Sequence, residues 1–153
     1  RMNEKFNVRK ATEKDISEIQ NMIKGLAVYE KRPQDMTASK EDLYYWIFEK
    51  KVATVLLAEY NNEIIGYVIY YPVFGSFAGE AGVHLEDLFL DEKYRNCGLG
   101  TEFFSKIKEF VRQEGYSKIE WNCLEWNIPS ICFYNKIGAV QEHGRKYFIY
   151  SCK

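Results

Sequence analysis

The sequence has no excess of basic residues and no basic run, since 21 Lys and Arg stand against 22 Asp and Glu for a formal net charge of −1. A protein that binds nucleic acid through phosphate contacts usually carries a clear basic surplus, so this balance argues against such a partner. No apolar stretch approaches the roughly 18–20 residues that span a bilayer, and the N-terminus carries no apolar signal-peptide block. We therefore expect a cytoplasmic protein with no membrane partner.

The sequence also lacks paired cysteines. Its four cysteines are Cys97, Cys123, Cys132 and Cys152, and none of them forms a C-x-x-C pair. No histidine lies at metal-ligand spacing from any of the four. We therefore expect reduced thiols, no disulfide and no bound metal.

The composition that is present is that of a folded protein. Hydrophobic residues make up 46% of the 153 residues and aromatic residues 16%, with 12 Tyr and 10 Phe. This supply of apolar side chains is sufficient for a substantial core and excludes a disordered chain. The length fits one domain, which we expect to span residues 1–153.

The hydrophobic patterns predict elements in the order β-α-α-β-β-β-α-β-α-β-β. Two helices are expected after cap signals at Thr12 and Ser39, and a long amphipathic helix and a short one follow later. The expected strands are Phe6–Arg9, Val52–Tyr60, Glu63–Phe74, His84–Leu90, Lys118–Cys123, Val140–Glu142 and Tyr147–Tyr150, and the two later helices are Leu99–Glu114 and Pro129–Lys136. Strands and helices mixed in one chain predict an α/β or α+β fold with a mixed sheet.

A glycine-rich turn follows the predicted strand that ends at Leu90 and opens the long helix. It reads Arg95-Asn96-Cys97-Gly98-Leu99-Gly100. A helix N-terminus presents unpaired N–H groups and partial positive charge, and glycines let the backbone approach an oxyanion, so a pyrophosphate fits there. Arg95 is a candidate for a charged phosphate contact. The alternative is a tight turn whose glycines serve sterics alone.

The turn is similar to the R/Q-x-x-G-x-G/A hallmark of the GNAT superfamily of N-acetyltransferases, with Arg95, Gly98 and Gly100 at its fixed positions. Other segments resemble those of the diamine (spermidine/spermine) and thialysine acetyltransferases within it. Residues 26–30 resemble the relatives' L-A-x-Y-E, residues 85–90 their L-E-D-x-F-V with Leu90 in place of the valine, and residues 125–134 their E-W-N-x-P-S-x-x-F-Y. Asn96 replaces the glycine usual after the arginine, and His84 stands where these relatives often carry tyrosine.

The resemblance implies a mixed, mostly antiparallel, V-shaped central sheet flanked by about four helices, with acetyl-CoA wedged where two strands splay apart. It implies that the backbone of the sheet pairs with the pantetheine arm, that the glycine turn wraps the pyrophosphate, and that a later segment adds CoA contacts. The implied cofactor-binding residues are Leu88, Phe89, Leu90, Arg95, Asn96, Cys97, Gly98, Leu99, Gly100, Thr101, Asn127, Pro129 and Ser130. No metal is implied, and a homodimer is expected.

Acetyl transfer to an amine needs two proton-handling groups. A free alkylamine has a pKa near 10 and arrives protonated, so a base must remove a proton, directly or through water. Glu86 is the candidate base and Tyr134 the candidate acid for the leaving thiolate, while a backbone N–H near Leu88 or Phe89 would hold the oxyanion. From the residues alone, two alternatives stay open: Glu86 is a buried structural carboxylate, and Tyr134 is a packing residue. Asp87, on the opposite face of a regular strand, is expected to be structural or a dimer or loop contact.

The candidate substrate-binding residues are Tyr29, Glu30, Glu86, Glu120, Trp121 and Asn122. Together their carboxylates would form an acidic groove that favours a cationic diamine, polyamine or thialysine-like amino acid. Alternatively, Glu30 ends a helix at the surface and Trp121 is a packing residue. For the whole chain, two other functions stay open: a protein lysine or N-terminal acetyltransferase, and an acetyl-CoA-binding module without catalysis.

Overall fold

The computed structural model describes residues 5–153, which divide into two compact units. The first unit ends at Asn122, and the second spans Cys123–Lys153. The expectation of a single domain over the whole chain stays a prediction. The family-typical glycine turn and the L-E-D-x-F-V segment both lie in the first unit.

From residue 5 onward, the first unit contains five strands and three α-helices, with short 3₁₀ segments between them. The strands are β1 (Phe6–Lys10), β2 (Thr54–Tyr60), β3 (Glu63–Gly75), β4 (Glu80–Leu90) and β5 (Ile119–Glu120). The helices are α1 (Ile16–Tyr29), α2 (Lys40–Tyr44), which continues as a π-helical turn over Tyr45–Glu49, and α3 (Leu99–Gln113). The mixed α/β class predicted from the sequence is confirmed.

The five strands form one sheet in the order β1-β2-β3-β4-β5, and every pair is antiparallel except β4 with β5. Asn61 and Asn62 both adopt positive φ, of 49° and 69°, which is the backbone that a two-residue hairpin between β2 and β3 requires. β4 begins at Glu80, four residues before the strand start predicted at His84. Gly82 fits this strand because a Cβ there would lie 2.9 Å from the Lys118 carbonyl oxygen.

The core lies on both faces of the sheet. On one face, α1 packs Ile19 and Met22 against buried residues of β2 and β3. On the other, α3 buries the apolar face of the amphipathic helix predicted there and leaves Phe110 half-buried; the buried residues are Leu99, Phe103, Phe104, Ile107 and Val111. The hydroxyl of Tyr70 donates to Glu114 just beyond α3, which ties the end of that helix to the middle of β3. This two-sided packing fixes β4, and therefore the residues that follow, relative to α1 and α3.

The second unit contains one helix, α4 (Ile128–Lys136), which begins after Asn127 as the Pro129 signal predicted. The strands expected at Val140–Glu142 and Tyr147–Tyr150 are not formed, and the strand expected at Lys118–Cys123 is reduced to the two residues of β5. The physical reason is the absence of a strand partner for the two last segments within the described residues. None of the helices between residues 5 and 153 is long and apolar enough to cross a bilayer.

Candidate active site

β4 separates from β5 in the middle of its length. The parallel ladder between them joins only Val83 to Ile119 and His84 to Glu120. Within the described residues no strand pairs with that side of β4 from Leu85 to Leu90, although β3 pairs with its other side throughout. The open edge includes Leu88–Leu90, the residues expected to meet an extended ligand, and it offers backbone N–H and C=O groups to one.

A β-bulge lies at the point where the two strands separate. Tyr70 pairs with Leu85 and the preceding residue, Ile69, pairs with Asp87, so Glu86 is the extra residue of β4. Bulges redirect side chains and occur often beside active sites. The regular alternation that was expected to place Glu86 and Asp87 on opposite faces is therefore interrupted.

Glu86 and Asp87 occupy different environments. Glu86 is exposed, and its Oε1 accepts a long hydrogen bond of 3.4 Å from the Tyr71 hydroxyl. Asp87 is half-buried, and its Oδ2 accepts a hydrogen bond of 3.0 Å from the hydroxyl of the fully buried Tyr67. The structural carboxylate considered as an alternative role for Glu86 therefore describes Asp87 better than Glu86.

Glu86 and Glu30 lie close enough to Asp87 to influence its ionisation. Burial raises the pKa of Asp87 to about 6, the Tyr67 hydrogen bond opposes this rise, and the charges of Glu86 and Glu30 add to it. Burial also raises the pKa of Glu30, with Arg32 opposing and Glu86 contributing. Burial and the neighbouring Asp87 raise the pKa of Tyr67 far above its ordinary value. Clusters of like charge with raised pKa values are typical of sites that bind a cation or move protons.

Glu30 lies directly after α1 and is half-buried, so it does more than end a helix at the surface. Its backbone N–H donates to the Leu26 carbonyl at 2.9 Å, which holds the position. The segment that resembles L-A-x-Y-E thus places a carboxyl group within electrostatic reach of β4.

The glycine turn has the backbone of an anion site. Asn96 and Gly98 adopt positive φ, of 59° and 88°, and Gly98 is the residue before α3. No side chain caps α3 at Gly98, so the first N–H groups of the helix are not used by that residue. A Cβ built on Gly98 meets nothing within 4 Å, which shows that this glycine serves the backbone conformation and leaves open space in front of the helix. The turn therefore fits a pyrophosphate.

Arg95 folds back onto the protein. Its Nε donates to the Leu90 carbonyl at 2.6 Å, and its guanidinium lies over the rings of Tyr29 at 4.7 Å and Phe89 at 5.4 Å. Such cation–π contacts stabilise the turn by roughly 0.5–2 kcal/mol. Arg95 thus links the end of β4 to Tyr29 on α1, a structural role that the motif alone did not indicate.

The remaining substrate-site candidates of the first unit lie around β5. Glu120 approaches Lys118 at 3.6 Å and His84 Nδ1 at 3.4 Å, and Trp121 packs edge-on against Phe104 at 5.5 Å between ring centres. Asn122 is exposed. The ring of His84 packs on Tyr71, the donor to Glu86. The packing alternative for Trp121 is supported.

In the second unit, Asn127 is buried and caps α4, with its Oδ1 accepting a 3.4 Å hydrogen bond from the Ser130 N–H. Pro129 lies in the first turn of α4, where its missing N–H costs nothing. Tyr134 is half-buried on the same helix and packs against Phe133 at 5.9 Å between ring centres. The E-W-N-x-P-S-x-x-F-Y segment therefore builds one capped helix start.

Sequence reasoning missed Tyr67 and Tyr71, which hydrogen-bond to Asp87 and Glu86. The signal that could have found them is the register of β3 against β4, but the bulge at Glu86 shifts that register by one residue. Among residues 5–153 no group of three or more His, Cys, Asp or Glu could hold a metal ion, and no cysteine forms a disulfide.

The sequence model of the Acetyltransferase (GNAT) family matches residues 17–139. The thialysine N-epsilon-acetyltransferase of Mus musculus is 30% identical over 86% of this chain and 82% of its own length. The L-ornithine N5-acetyltransferase of Arabidopsis thaliana is 31% identical over 51% of this chain and 35% of its own length.

Solved structures of the same fold include a possible acetyltransferase from Clostridium difficile, with a TM-score of 0.83 at 15% identity, covering 97% of this chain and 99% of that one. An aminoglycoside acetyltransferase from a soil metagenomic sample superposes with a TM-score of 0.80 at 16% identity, covering 97% of each chain. At these identities the two structures are evidence for the fold alone.

Proposed function

The chain belongs to the acetyltransferase (GNAT) family and is an acetyl-CoA-dependent N-acetyltransferase, and from this premise we propose that its acceptor is a primary amine of a small cationic molecule. The observation that carries the proposal is the group of three carboxyls, Glu30, Glu86 and Asp87, at the open half of β4. Their mutual repulsion is relieved when a cation binds among them, so a protonated diamine or amino-acid side chain is favoured there. Relatives named for thialysine and ornithine support the same class.

The cosubstrate fits the residues of the first unit. The uncapped start of α3 and the open space at Gly98 suit the pyrophosphate of acetyl-CoA, and the open edge of Leu88–Leu90 suits its pantetheine arm. The thioester supplies the acetyl group. By resemblance, we also assign CoA contacts to Asn127, Pro129 and Ser130.

We assign Glu86 the role of base and Tyr134 that of acid. Glu86, directly or through water, takes a proton from the bound ammonium group, and the neutral nitrogen then attacks the thioester carbonyl carbon. The C–N bond forms, the C–S bond breaks, and Tyr134 gives its proton to the leaving thiolate. The acylated nitrogen then loses its second proton, which passes through solvent to the Tyr134 phenolate and restores the phenol. The exposure of Glu86 at a bulge supports its role as base. The position of Tyr134 in the E-W-N-x-P-S-x-x-F-Y segment supports its role as acid.

The test is turnover with a panel of acceptors. We expect thiol release from acetyl-CoA with thialysine, ornithine or spermidine at a kcat/KM at least tenfold above that for a lysine-containing peptide. Because steering by carboxylates is screened by salt, kcat/KM for the cationic acceptor should fall as ionic strength rises. Preference for the peptide would favour a protein acetyltransferase, and acetyl-CoA binding without turnover of any amine would favour a non-catalytic module.

We further propose a cytoplasmic homodimer. A native mass measurement tests the dimer, and fractionation of cells tests the compartment.

Gly98→Ala should weaken acetyl-CoA binding about fivefold to tenfold. Alanine at a φ of 88° costs roughly 1–2 kcal/mol, so the turn relaxes and the first N–H groups of α3 shift. The measurement is the dissociation constant of acetyl-CoA by calorimetry. Gly115→Ala is the matched control, because Gly115 follows the other end of α3, has a φ of 90° and also faces open space. Gly115→Ala should lower the free energy of unfolding as much as Gly98→Ala does and leave the affinity for acetyl-CoA unchanged. Equal losses of acetyl-CoA affinity in the two variants would contradict an anion site at the start of α3.

Tyr134→Phe should lower kcat about tenfold while the acetyl-CoA dissociation constant changes less than twofold. The ring packing against Phe133 is kept and only the proton donor is lost. Steady-state kinetics and calorimetry on the same preparation measure both quantities. Tyr147→Phe, at an exposed tyrosine, is the control and should leave kcat unchanged. An unaltered kcat in Tyr134→Phe would remove this residue from the mechanism.

A further inference from the structure

Arg95 belongs to the glycine turn, but its side chain lies on the end of α1 and the end of β4. The residue is half-buried, and its Nε donates to the Leu90 carbonyl at 2.6 Å. Its guanidinium lies 4.7 Å from the centre of the Tyr29 ring and 5.4 Å from that of Phe89. One side chain thus joins the last residue of α1 to the last two residues of β4.

These contacts depend on properties that arginine combines. The guanidinium is planar and permanently charged, so it can stack on aromatic rings while its Nε donates a hydrogen bond within its plane. A cation over an aromatic face is attracted by the ring, and more strongly where water is partly excluded. Arg95 therefore holds Tyr29 at a fixed place relative to the end of β4.

Phe89 extends the same contact into α1. Its ring centre lies 6.0 Å from that of the fully buried Tyr67, and a Cβ built on Gly25 of α1 would lie 3.5 Å from its Cζ. The second half of α1 is thus packed on the strand that carries Glu86.

Tyr29 is followed directly by Glu30, one of the three carboxyls at the open half of β4. The Glu30 N–H donates to the Leu26 carbonyl at 2.9 Å, so Glu30 continues the path of the helix and moves with Tyr29. Burial raises the pKa of Glu30, and the cation that opposes this rise is Arg32. The influence of Arg95 on Glu30 is therefore one of position, transmitted by Tyr29, and not one of charge.

We propose that Arg95 is a positioning residue for the amine, because it holds Tyr29, and with it Glu30, where they bind the cationic acceptor. This inference rests on the proposed function, which assigns Glu30 to amine binding. It goes beyond that function because the R/Q-x-x-G-x-G/A hallmark indicates a phosphate contact for Arg95, whereas its side chain lies on Tyr29.

The first experiment separates the two substrates in Arg95→Met, which keeps an unbranched side chain without the charge and the Nε donor. For the best acceptor among thialysine, ornithine and spermidine, we expect KM to rise about tenfold and kcat to change less than about twofold, because Glu86 is untouched. The dissociation constant of acetyl-CoA, by calorimetry, should change less than about threefold. Arg95→Lys keeps a cation over the Tyr29 ring and should recover part of the loss. An unchanged amine KM, or a loss of acetyl-CoA affinity as large as the rise in that KM, would overturn the proposal.

Lys93→Met is the matched control. Lys93 is exposed two residues before Arg95, and its Nζ lies 5.2 Å from the centre of the Tyr94 ring. The variant therefore removes a positive charge and a cation–π contact outside α1, and the amine KM should stay within about twofold of wild type. A rise as large as that in Arg95→Met would make loss of charge the cause and would overturn the role of Tyr29.

A double-mutant cycle tests the route through Tyr29. The variant Tyr29→Leu removes the ring on which Arg95 lies. If Arg95 acts through that ring, Arg95→Met/Tyr29→Leu should have the amine KM of Tyr29→Leu alone, because the contact is already lost. Effects of the two single substitutions that multiply in the double variant would contradict this route.

Hydrogen exchange tests the position of α1 without turnover. The N–H groups of Glu30 and Lys31 donate to the carbonyls of Leu26 and Val28 at 2.9 and 3.0 Å. In Arg95→Met these two amides should exchange at least about fivefold faster, while those in the first half of α1 keep their rates. Unchanged exchange would overturn the positioning role even in an active enzyme. Faster exchange in a chain whose wild type acetylates no amine would support the hold on α1 and contradict the proposed function alone.

Discussion

Glu86→Gln should lower kcat/KM for the amine about 10²- to 10³-fold, the range expected for loss of a general base. Glutamine keeps the size of the side chain and can still accept the 3.4 Å hydrogen bond from the Tyr71 hydroxyl, but it cannot take a proton from the ammonium group. Because Glu86 is the extra residue of a bulge, the substitution leaves the pairing of β3 with β4 intact. The dependence of kcat/KM on pH should change with the loss, which initial-rate assays across pH would measure.

Glu80→Gln is the matched control for this prediction. Glu80 is exposed at the start of the same strand. Its replacement by glutamine is the same chemical change, made outside the group of Glu30, Glu86 and Asp87. It should retain wild-type kcat/KM at every pH. An unaltered rate and pH profile in Glu86→Gln would assign the proton transfer to another group.

The parts of the fold that local patterns determine could be predicted from the sequence. The Asn61-Asn62 pair specifies the turn between β2 and β3, and the periodicity of residues 99–114 specifies α3 and its buried face. The last two predicted strands were wrong because a strand needs a partner as well as a pattern. Tyr147–Tyr150 has the composition of a strand, but no strand between residues 5 and 153 pairs with it.

The candidate site, like the fold, has features that could be predicted from the sequence and features that could not. The glycine turn before α3 and the position of Glu86 on a strand followed from the motif and from the strand pattern. The bulge did not, because its signal is a one-residue register shift that depends on both strands. The Tyr67–Asp87 hydrogen bond follows from that shift, so Asp87 could not be placed near Glu86 and Glu30 from the sequence alone.

Asp87→Asn should stabilise the protein at pH 7.5 and slow the reaction. The folded pKa of Asp87, about 6, lies above the ordinary 3.8, so the native state holds a proton that the unfolded state has released between these values. The unfolding free energy therefore falls as pH rises from about 4 to about 6 and stays lower above, by about 3 kcal/mol for this shift. Asparagine does not ionise, and its carbonyl oxygen can still accept the Tyr67 hydroxyl, so the variant avoids this loss.

The gain in stability should disappear below about pH 4, where Asp87 is neutral in both states; denaturant unfolding at pH 4, 6 and 7.5 measures it. Asp87→Asn should also lower kcat/KM for a cationic amine about tenfold, because it removes one of the three negative charges that Asp87, Glu86 and Glu30 present. Asp35→Asn is the control, since Asp35 forms an exposed pair with Arg32 at 2.8 Å that contributes at most about 1 kcal/mol. A variant of Asp87 that is less stable at pH 7.5 would mean that the carboxylate is stabilising, whereas faster turnover would remove it from amine binding. Stability gained at the expense of rate is the pattern expected where a buried charge is kept for function.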